Sequence, residues 1–212
     1  MLKVTPAGDH ESNEEADALA LWDGNGAVRL LRRSRERRAL LFERARPGTD
    51  IAALPEEEAT ALAVETGRRL WRPASEPFRW IGDHVPRWLA QTDESTGPAT
   101  ELIPLAHKLY ASLDPRRSTL VHGDFHHHNI LDATGRYVAI DPKPMLGEPE
   151  YDVPSFLWNP MQTPMTRDAT ERRLAAFAAA GLDERRMRAW SVIRGAYLRV
   201  DREDVEVLRA LV

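Results

Sequence analysis

Apolar residues change their spacing several times along this chain, and each change predicts an element. Near the amino terminus Leu2-Lys3-Val4-Thr5, Val28-Arg29-Leu30-Leu31 and Arg38-Ala39-Leu40-Leu41-Phe42 are short runs of the kind strands make. A helix is predicted between the first two, over roughly Ser12 to Trp22. Asp23-Gly24-Asn25-Gly26 ends it, because these residues favour turn geometry over helix. From Pro47 onward the spacing is mainly helical. Ala59, Leu62, Ala63, Thr66 and Leu70 share one helical face, as do Leu102, Leu105, Leu109 and Leu113. Leu174, Phe177, Ala178 and Leu182 make a third stripe, and Met187, Trp190, Ile193 and Tyr197 a fourth. All four read as core. Three short β runs interrupt the helices: Ser118 to Val121, Asn129 to Leu131, and Tyr137 to Ile140, with a turn at Asp132-Ala133-Thr134-Gly135 between the last two. Pro47-Gly48-Thr49 and Ser95-Thr96-Gly97-Pro98 read as linkers, and there is no internal repeat. The pattern therefore predicts an α+β chain in two unequal parts: residues 1–46, ordered β-α-β-β, and residues 47–212, mainly helical with inserted hairpins.

The segment His122-Gly123-Asp124-Phe125-His126-His127-His128-Asn129, followed by Val138-Ala139-Ile140-Asp141, orders an acid, an amide and a second acid around an apolar scaffold. The predicted hairpin returns Asp141 beside Asn129. Phosphoryl transfer passes through a loose transition state, so a protein assists mostly by aligning the acceptor hydroxyl and neutralising phosphate charge. A loop carboxylate can take the hydroxyl proton, while an amide and a second carboxylate hold magnesium, a hard ion that needs few protein ligands. The spacing is that of a kinase-type catalytic loop and metal site. An isolated Gly-Asp or Ile-Asp pair would be only a turn; the flanking β runs and the spacing distinguish this one. The run His126-His127-His128 invites a zinc reading, but consecutive side chains do not readily converge on one tetrahedral ion and the chain has no cysteine, so the histidines are expected to fill the loop.

On these residues the sequence resembles the aminoglycoside and hydroxyurea antibiotic resistance kinases, especially the streptomycin 6-phosphotransferase type. Their fold is protein-kinase-like, and they carry His-Gly-Asp where protein kinases carry His-Arg-Asp. The resemblance runs from Leu2 to about Trp190 and is most specific between His122 and Asp152. It implies a phosphotransferase dependent on ATP and Mg2+ that acts on a hydroxyl of a small molecule, an aminoglycoside-type antibiotic such as streptomycin, or hydroxyurea. It further implies Asp124 as catalytic base, Asn129 and Asp141 as magnesium ligands, and Asp152 as a later structural acid. In the small part, or N-lobe, it implies Lys3 on the α and β phosphates, paired with Glu14 or Glu15 of the following helix. These neighbours point in different directions, and Glu15, one turn before Leu19, is the better placed. Leu40 to Ala45 resembles the strand and hinge that meet adenine through backbone groups, here those of Glu43 and Ala45. A solvated terminal lysine and a plain strand end are the alternatives for these two features.

Composition narrows the partners. With 29 basic and 33 acidic residues the net charge is −4, so no nucleic-acid partner is expected. No cysteine means no disulfide framework and no thiol chemistry. No apolar run reaches the roughly 20 residues of a membrane span, and the amino terminus has no signal-peptide core, so a cytoplasmic protein without a membrane partner is expected.

The chain departs from the family pattern at its start. Family members have two strands and a glycine-rich loop before the phosphate lysine, whereas this chain begins two residues before Lys3, and Gly24 and Gly26 belong to an ordinary turn. The expectation is a truncated N-lobe with weak ATP binding and a bare sheet edge open to a second copy, giving a homodimer. A non-catalytic remnant that only binds or self-associates is the alternative function. Asp201, Glu203, Asp204 and Glu206 are expected to form a solvated helix face or to line a site for a cationic acceptor. Trp158 and Asn159 are expected either in the core or in the acceptor cleft.

Overall fold

The computed structural model describes residues 1–6, 14–93, 97–116, 118–161, 163–198 and 200–212. The predicted helix start at Ser12 and the linker residues Ser95 and Thr96 lie outside the described residues. Among those described, the strands form three small sheets and no helix is long and apolar enough to cross a membrane.

The first sheet holds β1 (Leu2–Val4), β2 (Leu30–Ser34) and β3 (Ala39–Phe42) in the antiparallel order β1-β3-β2, with Lys3 opposite Leu40 and Leu2 opposite Leu41. Side chains alternate across a sheet. Leu40 and Phe42 therefore turn into the buried cluster that also contains Ala16, Leu19 and Trp22 of α1 (Glu15–Trp22), while Leu2, Val4 and Leu41 face outward and are exposed. Helix α1 ends where predicted, on left-handed Asp23 (φ 43°) and Gly24 (φ 79°). Strand β2 starts two residues later than the sequence suggests. Gly26 to Val28 are used elsewhere: Val28 N–H donates to Ala139 O (3.0 Å) and Ala139 N–H to Gly26 O (2.7 Å), tying the small part to the hairpin that precedes Asp141.

That hairpin is β7 (Ile130–Ala133) and β8 (Tyr137–Ala139), and its other flank is taken by β4 (Pro47–Asp50). The segment expected to be a linker is thus an edge strand. Proline is tolerated because an edge strand needs hydrogen bonds on one side only, and the register shifts between Pro47 and Asp50. A third sheet orders β5 (Arg72–Pro73), β6 (Thr119–Val121) and β9 (Met145–Gly147) as β5-β6-β9, placing the loop of Asp124 directly after β6.

Helices α2 (Glu56–Leu70), α3 (Ile81–Asp93), α4 (Ile103–Leu113), α5 (Val153–Leu157), α6 (Arg167–Ala179), α7 (Glu184–Leu198) and α8 (Arg202–Arg209) make up most of the remainder. Helix α2 opens on Glu56, Glu57 and Glu58 and closes on Arg68 and Arg69, charges that complement its dipole. The stripe Met187, Trp190, Ile193 and Tyr197 understates α7. Ala189, Ser191, Val192, Arg194, Gly195 and Ala196 are also buried, because α3, α4, α5, α6 and α8 surround this helix.

Beside α7 lies Glu148, 1% exposed, which accepts from Arg186 Nε (3.0 Å) and Nη2 (2.7 Å), Trp190 Nε1 (2.5 Å) and the Arg116 backbone (3.2 Å). Removing one partner of a buried ion pair strands the other. Glu148→Ala is expected to cost about 3–5 kcal/mol and to lower Tm by about 10 °C, read by thermal and urea unfolding. A Tm shift under about 2 °C would show that the buried charge contributes little.

Candidate active site

The loop after β6 is held from both sides. Asp152 accepts the backbone N–H of His122 (2.8 Å) and of Gly123 (2.8 Å), and Trp71 Nε1 fills its remaining approach at 2.9 Å. From α7 the guanidinium of Arg194 donates to Gly123 O (3.0 Å) and Tyr151 O (2.7 Å) and lies over the Tyr151 ring. Gly123 sits at φ 82°, and a Cβ there would stand 2.0 Å from Lys143 O, so two chain segments meet too closely for any side chain.

His122 spans the gap between the two acids. Its Nε2 lies 3.0 Å from Ile140 O and its Nδ1 accepts from Asp124 N–H at 3.3 Å. One nitrogen donates and the other accepts, which requires the neutral imidazole. Complete burial favours the same state, pushing its pKa down against the pull of Asp152 and Asp124. Ile140 N–H donates to Asn129 O (2.9 Å), which sets Asp141 next to Asn129 as the hairpin reading anticipates.

Lys3, Glu15, Glu43, Ala45, Asn129 and Asp141 all line one cleft of about 470 Å³, together with Val28, Phe42, Leu131 and Ile140. Lys3 Nζ contacts both oxygens of Glu15 (3.0 and 2.8 Å) and hydrogen-bonds Asp141. Glu14 turns the other way and pairs with Arg79 at 2.8 Å. Burial works against the Lys3 charge, but Asp141 and Glu15 outweigh it and hold its pKa above the ordinary lysine value. Glu43 N–H donates to Arg29 O (3.0 Å), and its carboxylate receives Arg29 N–H (2.9 Å) and Arg136 (2.7 Å). Burial raises the Glu43 pKa, and these donors more than reverse the shift. Arg136 also donates to Gly24 O (3.0 Å), so this side chain of the hairpin clamps the turn after α1 and the end of β3.

Asp124 lines a neighbouring pocket of about 280 Å³ with Arg79, Trp88, Lys143, Arg194 and Tyr197. Lys143 Nζ is 3.3 Å from Asp124 Oδ2, and His126 Nε2 is 3.6 Å from Oδ1. Asn129 gives its Nδ2 to Asp124 O (2.9 Å) and to His126 (3.2 Å), leaving its oxygen as the atom to offer a cation. That donor set, one amide oxygen and one carboxylate beside a lysine, fits magnesium carried in by phosphates.

The three consecutive histidines diverge. His126 stands between Asp124 and Asn129, His127 stacks on Phe156 at 3.9 Å, and His128 meets Asp50 at 2.8 Å. Burial, with Arg173 nearby, pushes the His127 pKa down to about 3, so it packs as a neutral ring.

A third cleft, about 460 Å³, brings Trp158 and Asn159 together with Asp201, Glu203 and Asp204; Glu206 is exposed outside it. Leu198 borders this cleft and the pocket of Asp124, so the two adjoin. Asp201 caps α8 by accepting Asp204 N–H (3.1 Å). Arg173 fixes the segment before Trp158 and Asn159 through Phe156 O, Leu157 O and Asn159 O.

The aminoglycoside/hydroxyurea antibiotic resistance kinase profile matches residues 1–204. The chain belongs to this family. It is 31% identical over 210 residues to a streptomycin 3''-kinase of Klebsiella pneumoniae, covering 91% of this chain and 75% of that one. It is also 31% identical over 197 residues to a hydroxyurea phosphotransferase of Kitasatospora aureofaciens, covering 88% of this chain and 57% of that one. The fold is that of a choline/ethanolamine kinase family protein from Mesorhizobium loti, with a TM-score of 0.69 at 16% identity over 93% of this chain and 70% of that one. The family's protein-kinase-like fold thus accounts for the placement of both acids.

Lys143, Arg194 and Arg136 escape a reading of the sequence. Arginine is abundant throughout, and Lys143 carries no signal beyond standing two residues after Asp141.

Burial together with Asp201 and Glu203 raises the Asp204 pKa from 3.8 to about 6. Between these values the folded chain keeps a proton that the unfolded chain releases, so stability falls as pH rises through this window. Asp204 is partly exposed, which tempers the effect. Asp204→Asn is expected to raise Tm by about 2–4 °C at pH near 7 and not at all near pH 4. An equal gain at both pH values would place its origin outside this carboxylate.

Proposed function

We propose that this chain transfers the γ-phosphoryl group of ATP to a hydroxyl of a small molecule, with a cationic aminoglycoside-type acceptor favoured. The observation that carries the reading is the convergence of Lys3, Glu15, Glu43, Ala45, Asn129 and Asp141 on one cleft while Asp124 lines the adjoining pocket. The names of the relatives, streptomycin kinase and hydroxyurea phosphotransferase, support the acceptor class.

In this reading Asn129 and Asp141 would hold magnesium, Lys3 would meet the phosphates, and the backbone of Glu43 and Ala45 would meet adenine. Magnesium and ATP supply the phosphoryl group and part of its charge neutralisation. Asp124 orients the acceptor hydroxyl and takes its proton. Asp152 and Arg194 keep the loop still, so that this carboxylate has one address. Cationic groups of the acceptor would sit against Asp201, Glu203 and Asp204, with Trp158 as an apolar wall.

Hydroxyurea is the second reading. The pocket at Asp124 is small and carries Arg79, Lys143 and Arg194, a lining better suited to a compact neutral acceptor than to a large cation. Comparison of kcat/KM for streptomycin and hydroxyurea separates the two.

Asp124→Asn is expected to lower turnover by about 10²- to 10⁴-fold with ATP binding nearly unchanged. Asp141→Ala should instead remove the magnesium dependence of ATP binding in calorimetric titration. Unaltered turnover in the first variant would take Asp124 out of the base role, and retained magnesium dependence in the second would move the metal elsewhere.

A further inference from the structure

We propose that Lys143 is a catalytic residue whose ammonium rests on Asp124 and passes to the phosphoryl group during transfer. The inference builds on the reading of Asp124 as the base. Three features carry it.

The first is position. Asp141 lines the proposed nucleotide cleft and Lys143, two residues on, lines the pocket of Asp124. The short segment from Asp141 to Lys143 therefore joins the two clefts.

The second is anchorage. Lys143 N–H donates to His122 O (2.8 Å), and its carbonyl lies against Gly123 so closely that no Cβ would fit there. The stem is therefore fixed to the loop that carries Asp124, while the side chain is 49% exposed and its long stem can carry the ammonium from one oxygen to another.

The third is chemistry. Lys3 is held by Glu15 and Asp141, Arg79 pairs with Glu14, and Arg194 is spent on two carbonyl groups. None of these partners changes charge in the reaction. Asp124 does. As the acceptor oxygen forms its bond to phosphorus, the bond from phosphorus to the departing ADP oxygen breaks with its electron pair staying on ADP, and the acceptor proton moves to Asp124. The neutralised carboxyl releases Lys143 to the phosphoryl group, whose charge is spread over its three equatorial oxygens. An ion pair of purely structural origin would instead add little to stability and nothing to turnover.

The absence of cysteine makes a clean test, because the thiol introduced by Lys143→Cys would be the only one in the chain. Alkylation with bromoethylamine restores an ammonium at nearly the same reach, and alkylation with iodoacetamide adds a neutral group of similar bulk. Streptomycin and hydroxyurea serve as acceptors. Lys143→Met and unmodified Lys143→Cys are expected to lose about 10²-fold in kcat with KM for ATP within about threefold. Calorimetry should show ADP with magnesium and aluminium fluoride, a mimic of the phosphoryl group in transit, binding Lys143→Met about 10²-fold more weakly, with ADP alone unaffected. The aminoethylated Lys143→Cys variant should recover most of both losses and the carbamidomethylated variant neither. Unchanged kcat and analogue affinity in Lys143→Met, or equal recovery by the two reagents, would overturn the proposal. Asp124→Asn run in parallel separates the failures. A fully active Asp124→Asn removes the base reading itself, whereas an inactive Asp124→Asn beside a fully active Lys143→Met removes only the role of Lys143.

Discussion

The carboxylate of Asp152, wholly buried, gathers the N–H groups of His122 and Gly123 and the indole of Trp71. A buried charge is tolerable only when its lone pairs are met, and here three donors meet them. The arrangement works in both directions: the donors stabilise the anion, and the anion sets the direction of the peptide that leads into Asp124. Arg194 takes the carbonyl of the same glycine from the opposite side. Gly123 is left with no freedom, and its missing side chain is what allows the Lys143 segment to approach. The place of Asp124 follows from this pinned peptide.

From it a short chain of backbone bonds measures the separation of Asp124 and Asp141. His122 reaches Ile140 O, Lys143 N–H returns to His122 O, and Ile140 N–H closes onto Asn129 O. The rungs are peptide groups and a neutral imidazole, so the spacing between Asp124 and Asp141 does not depend on a titrating ion pair. Charge enters only at the surface of the cleft, where Lys3 joins Glu15 of α1 to Asp141 of the hairpin. That contact, the strand-like bonds of Gly26 and Val28 to Ala139, and the Arg136 clamp make one cleft out of two sequence-distant parts.

The adjoining clefts differ in sign, and the difference gives the proposed acceptor a direction. Acids of α8 and the preceding turn line the outer cleft, and cations crowd the inner pocket at Asp124. A molecule with amino or guanidino groups at one end and a hydroxyl at the other is drawn in hydroxyl first. Burial, and after it the charges of Asp201 and Glu203, raise the Asp204 pKa, and a bound cation would relieve the second of these costs.

Local order in the sequence settled a good deal. The acid-amide-acid spacing, the turn between β7 and β8, the stop after α1 and the apolar stripes are properties of neighbouring residues, and geometry over a few residues is nearly context-free. What it could not supply was any choice that depends on distant surroundings. Pro47-Gly48-Thr49 looks like a linker until β7 offers a strand to pair with, and β2 starts late because Gly26 to Val28 are taken by Ala139. Helix α7 reads as one stripe and is buried nearly all round because other helices enclose it. Sequence favours Glu15 over Glu14 only by its place one turn before Leu19, and the packing of α1 against the first sheet turned Glu15 to Lys3 and Glu14 to Arg79. Lys143 and Arg194 had no local signature at all, since a charge acquires its partner from whatever the fold brings within a few ångströms. The sequence by itself determined which chemistry was on hand and its spacing along one loop; tertiary structure decided which charges face each other, because contacts between remote residues follow from packing the whole chain.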